Sequence, residues 1–137
     1  MDVKLAKIPL LREILWEVTM GTNYYAVPNR PSCREPIHIG KASLGWMFNF
    51  QTQTTYGVDD IRIEWNTFPQ VKDWLYKWTV EKPVYVIIDE YDEIVPFDDF
   101  IEMVEWKQKD KRSRDNPDNF SYARNVDGYR FTDEEFS

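Results

Sequence analysis

Trp46, Phe48 and Phe50 alternate with Met47, Asn49 and Gln51. Alternation at a period of two puts three large aromatic rings on one side of an extended chain and a mixed set on the other. The pattern predicts a strand with its aromatic face turned inward. A second stripe demands a different geometry. Val71, Trp74, Leu75 and Trp78 recur at helical spacing, behind a Thr67 that can cap a helix and a Pro69 suited to its first turn. One chain carrying both periods is expected to fold as α+β, with a small antiparallel sheet packed against two or three helices.

The other elements follow from local signals. Thr22-Asn23-Tyr24-Tyr25-Ala26-Val27 is aromatic and β-branched and reads as a strand, closed by a loop over Pro28, Asn29, Arg30, Pro31 and Ser32. Ile37 and Ile39 flank His38 as a second strand, and Gly40-Lys41-Ala42-Ser43 reads as a turn. Gln51 to Asp60 is polar and reads as a strand end and loop. Ile61, Ile63 and Trp65 alternate with charged residues as a short strand. Val84 to Ile88 has the composition of a buried strand, Asp89 to Asp92 that of a turn, and Ile94 and Val95 are expected as the returning arm of a hairpin. Asp98 is expected to cap a second helix with Phe100, Ile101 and Val104 inside, running to about Gln108. Tyr129, Phe131 and Phe136 are expected to anchor a terminal strand or short helix on the body.

Composition bounds the function. The 137 residues suit one domain, and six Trp with eight Phe are enough for its core. The net charge is −7, which opposes binding to nucleic-acid backbones and favours a basic partner surface. A lone Cys excludes an internal disulfide and suits a reducing compartment. No apolar run approaches the ~18 residues of a membrane span. Residues 1–19 leave two readings open. Leu11, Ile14, Leu15 and Val18 fit an amphipathic helix packed on the domain. Alternatively Trp16-Glu17-Val18 can be encoded UGG-GAG-GUN, which contains a bacterial ribosome-binding core. That core would lie just before the codon for Met20, making the preceding segment a translated leader. Residues 20–137 then form the α+β domain, with a flexible, partly basic connector over 109–120.

Met20-Gly-Thr-Asn-Tyr-Tyr and His38-Ile-Gly-Lys-Ala-Ser-Leu-Gly-Trp-Met-Phe48 resemble the motifs of a family of small uncharacterised proteins of tailed bacteriophages and prophages. Asp89-Glu90-Tyr91, Gly128-Tyr-Arg-Phe131 and Glu135-Phe136-Ser137 extend the resemblance to the end of the chain. The resemblance implies an accessory protein acting in the host bacterial cytoplasm. Family members often carry a Cys-x-x-Cys half-site before the His, where this chain keeps only Cys33. Cys33 and His38 supply two ligands at most, and a tetrahedral zinc needs four. No metal or cofactor is therefore expected.

Three functions compete for the remaining residues. The first is a non-catalytic protein that binds a host or defence protein through an acidic surface formed by Asp89, Glu90, Asp92 and Glu93. The second is a small-ligand binder placing a nucleotide or phosphate near His38, Lys41, Ser43 and Trp46. Gly-Lys-x-Ser offers backbone N–H groups, a cation and a hydroxyl, though not the spacing of a P-loop. The third is a metal-dependent hydrolase using Asp89, Glu90 and His38. The bland alternatives are a hydrogen-bonded sheet histidine, a solvated turn, and Asp98 and Asp99 at a helix start.

Overall fold

The computed structural model describes residues 21–32, 34–43, 47–108 and 123–133. The N-terminal helix or leader, Cys33, Trp46, the 109–120 connector and Phe136 lie outside these residues. The described chain forms β1 (Thr22–Pro28), β2 (Ile37–Ala42), β3 (Asn49–Gln51), β4 (Gln53–Tyr56), a 3₁₀ turn (Val58–Asp60) and β5 (Arg62–Trp65). These are followed by α1 (Phe68–Tyr76), a π-helical turn (Lys77–Glu81), β6 (Tyr85–Asp89), α2 (Phe97–Lys107), β7 (Ala123–Val126) and β8 (Tyr129–Thr132). The fold is α+β, a six-stranded sheet ordered β6-β1-β2-β3-β8-β7 with a separate β4–β5 pair and two α-helices.

The sheet is larger than expected and mixed, because β8 lies parallel to β3 in the register Asn49–Arg130, Phe50–Phe131 and Gln51–Thr132. Packing explains the pairing. Phe131 stacks on Phe50 at 5.0 Å, and Tyr129 stacks on Phe68 at 4.2 Å. Phe50 and Phe131 are fully buried. Removing each such ring from water contributes roughly 1.5–3 kcal/mol, enough to bind a four-residue strand in place. The expected terminal strand is thus β8, preceded by β7 in a hairpin across Asp127 and Gly128, both at positive φ.

The first helix begins as its sequence signals. Thr67 accepts from the Gln70 backbone N–H, and Gln70 accepts in return from the Thr67 N–H at 3.1 Å, a complete capping box. Phe68, Val71, Trp74 and Leu75 form its buried face, and the Trp74 indole donates to the Arg62 carbonyl. The second helix departs from expectation. Asp98 does not cap it; the N-cap is Pro96, whose carbonyl accepts from Phe100 N. Proline holds its φ near the value helix entry needs, so the first turn forms before Asp98 is reached. Asp98 and Asp99 instead lie in that turn, where a carboxylate complements the helix dipole.

Two further local expectations are overturned, and a third holds only in its shortest form. Gly40-Lys41-Ala42 is strand, because β2 runs on to Ala42 and is paired on both sides, with β1 and with β3. Ile94 and Val95 do return antiparallel to β6, but only as a single bridge, Ile88 to Ile94, closed by Val95 N to Ile87 O and Asp89 N to Glu93 O, before Pro96 ends the pairing. The ladder partner of β6 is β1, over five consecutive pairs. The polar stretch after Gln51 contains β4, whose Thr and Tyr side chains tolerate an extended backbone and pair with β5.

Both helices and the β4–β5 pair feed one core. Phe100 of α2 meets Tyr24 and Phe48, each at 5.5 Å; Phe68 of α1 meets Phe50; Trp65 of β5 meets Trp74. Tyr24, Ala26 and Phe50 therefore mark the core side of the sheet. Cross-strand partners share a side, so Asn23, Tyr25 and their partners lie on the other.

Candidate functional site

A polar cluster occupies that second side, and an irregularity in the ladder creates it. Asn23 pairs with Lys41 and Tyr24 with Gly40, but Tyr25 pairs with His38. Ile39 is thus an extra residue on β2, fully buried on the core side. His38 and Lys41 are three residues apart, and a regular strand would send them to opposite faces. The bulge returns both to the face that carries Asn23 and Tyr25. Ser43 joins them. An added Cβ at Gly21 would lie 2.7 Å from Ser43 Oγ and 2.8 Å from Lys41 Cε, so both side chains rest against this glycine.

Hydrogen bonding centres on Asn23. Its backbone N–H and its Nδ2 both donate to Oε1 of Glu90, at 2.7 and 3.0 Å. Its Oδ1 lies 2.9 Å from His38 Nε2. The carboxylate can only accept, which turns Nδ2 toward Glu90 and Oδ1 toward His38. The carboxamide oxygen can also only accept, so His38 Nε2 carries a proton. His38 is 8% exposed, and the Tyr25 ring lies over it at 5.2 Å. Burial pushes the Tyr25 phenol pKa up, with a smaller push from the Glu90 charge. The His38 carbonyl accepts from Gln53 Nε2 at 2.9 Å. That side chain stands in where β3 no longer flanks β2.

The polar band continues across the sheet. Thr132 Oγ1 donates to Asn49 Oδ1 at 2.9 Å, and Gln51 Nε2 donates to the Thr132 carbonyl. Arg130 is buried in the same sheet, and burial draws its guanidinium pKa downward. Lys107, almost fully buried at the end of α2, donates to the Ser43 carbonyl at 2.5 Å.

His38, Lys41 and Ser43 are therefore brought together, while Trp46 lies outside the described residues. Pairing on both sides engages the Gly40-Lys41-Ala42 backbone that a phosphate nest would need. The acidic candidates divide. Asp89 Oδ1 accepts from Tyr91 N at 2.8 Å and Glu93 N at 3.0 Å, which holds the turn, and Glu90 holds Asn23. Asp92 and Glu93 are exposed. Glu90 and His38 are joined through Asn23, while the Asp89 carboxylate is turned to the Tyr91 and Glu93 backbone. Among the described residues, no three His, Cys, Asp or Glu side chains gather as metal ligands would. No described helix is long and apolar enough to cross a membrane.

Sequence reasoning passed over Asn23, Tyr25 and Gln53. Alternation within Thr22–Val27 was the available signal for the first two; nothing local announced Gln53. Comparisons with protein-family models, curated proteins and solved structures found no match.

Proposed function

We propose that this chain is a non-catalytic phage or prophage accessory protein. It binds a host or defence protein in the bacterial cytoplasm through an acidic surface formed by the β6–α2 unit. One observation carries the reading. Between Lys82 and Lys107 the chain has no Lys or Arg, while Asp92, Glu93, Asp98, Asp99, Glu102 and Glu105 are all exposed there. A surface of one sign attracts an opposite surface over about a Debye length, speeds encounter and rejects acidic competitors. The resemblance to phage proteins supplies the setting.

Affinity capture from infected cells tests the proposal, with the intact chain and with a variant neutralised at Asp92, Glu93, Asp98 and Asp99. A basic bacterial protein held by the intact chain, lost from the variant and released by salt is the expected result. Equal recovery with both baits, or capture insensitive to salt, would count against it.

A second reading rests on the bulge that gathers His38, Lys41 and Ser43. A nucleotide or phosphate bound there should raise the melting temperature in proportion to ligand excess, and Lys41→Ala should remove that gain. A flat thermal response across a nucleotide panel would dispose of it.

A further inference from the structure

The side of the sheet opposite the helices carries an apolar patch beside its polar cluster. Tyr25 pairs with Ile88 and Val27 with Val86 across β1 and β6, and Ile88 bridges on to Ile94. Cross-strand partners share a side, so these five side chains lie with Tyr25, away from the core. Ile94 is 69% exposed, and the other four are half-buried. Both helices and the β4–β5 pair contribute their aromatic side chains to the opposite side. Apolar side chains gathered on one face mark a contact surface, whereas single ones do not.

Charge decides the occupant. Asn23 lies on the same side, with Lys41 paired to it on the β2 flank and Glu90 bonded to it on the β6 flank. The exposed Asp92 and Glu93 follow Glu90 in the chain and add to the acidic flank. An occupant of one sign throughout would meet its own sign on one flank. We infer that the surface pairs instead with a second copy of this chain, sheet against sheet as in a β-sandwich. A two-fold axis along β1 lays the β6 flank of each copy on the β2 flank of the other. Glu90 then meets Lys41 twice, while Tyr25 and Val27 face their own counterparts at the centre. The helices stay on the outer side, so the inference is independent of the acidic-surface proposal.

Sedimentation velocity tests the pairing in about 0.15 M salt, which screens the repulsion between two chains of net charge −7 beyond about 8 Å. The intact chain should show a dimer whose share grows with concentration. Lys41→Glu and Glu90→Lys should each weaken it at least about tenfold, because each sets like charges against each other. An equimolar mixture of the two should recover the dimer, since every pair across the axis is again opposite in sign. Glu90→Lys also gives up the bonds to Asn23, so Val27→Lys serves as a second probe. Val27 faces away from the core, and two lysines meeting at the axis should abolish the dimer. A parent chain monomeric up to about 1 mM, the weak end of specific association, overturns the inference. So does a dimer that survives Val27→Lys, or a mixture of folded variants no more dimeric than its components.

Discussion

Gly40 sits where β2 passes beneath the Phe48 ring, and a Cβ there would overlap that ring and the Asn49 carbonyl. Backbone and a packed ring cannot move aside cheaply, so Gly40→Ala should cost about 1–3 kcal/mol in urea unfolding. Its role is close approach within a strand, not the turn its sequence neighbours suggest. Asn23 acts through hydrogen bonds. Asn23→Ala deprives Glu90 of one donor and His38 of its acceptor, and about 1–3 kcal/mol should be lost. Nitrogen NMR of the intact chain should show a proton on His38 Nε2; a proton on Nδ1 alone would contradict the Asn23 geometry. Tyr25 gives a pH dependence of defined sign. Its folded pKa lies above the ordinary 10.0, through burial and then the Glu90 charge. Between those two values the unfolded chain has released the proton and the folded chain still holds it. Stability is therefore intact below about pH 10 and falls as pH rises through the folded value. Tyr25→Phe should make this alkaline decline shallower in urea midpoints measured against pH. Some decline should remain, because burial and then Glu105 raise the Tyr129 phenol as well.

Among the elements, α1 was the most legible, since its signals lie within a dozen residues. Thr67, Pro69 and Gln70 mark its start, and the Val71, Trp74, Leu75 stripe marks its face. Thr67→Ala should cost about 0.5–2 kcal/mol by thermal or urea unfolding, the usual range for a lost N-cap side chain. A variant as stable as the parent would show that packing alone holds the first turn. Strand pairing was less legible, because the partner of a strand is chosen by distant residues. Val84 to Ile88 has the composition of a buried strand wherever it pairs. The five-pair ladder with β1, which joins Ala26 and Ile87 in the core, takes one edge of β6, while the returning Ile94 takes the other with a single bridge. The parallel β3–β8 pairing likewise depends on contacts between Phe50, Phe68, Tyr129 and Phe131, eighty residues apart in part.

For the whole molecule, charge and burial are arranged separately. Of the aromatic side chains named from periodicity, Phe48, Phe50, Trp65 and Phe100 are fully buried in the core, and the terminal anchor Phe131 joins them. The carboxylates of the β6–α2 unit are packed close along one short segment and repel one another. Raising the salt concentration should therefore shift the urea midpoint upward for the intact chain, and less so for the variant neutralised at Asp92, Glu93, Asp98 and Asp99. A midpoint indifferent to salt in both would mean that these charges lie too far apart to interact. What the sequence by itself determined is the α+β class, the core aromatics and the helix start at Thr67, because periodicity and capping act between near neighbours. The tertiary structure alone decided that His38, Lys41 and Ser43 share a face and that Glu90 reaches Asn23. Both depend on one extra residue in a ladder and on pairing across 67 positions, and neither is visible in any local stretch of chain.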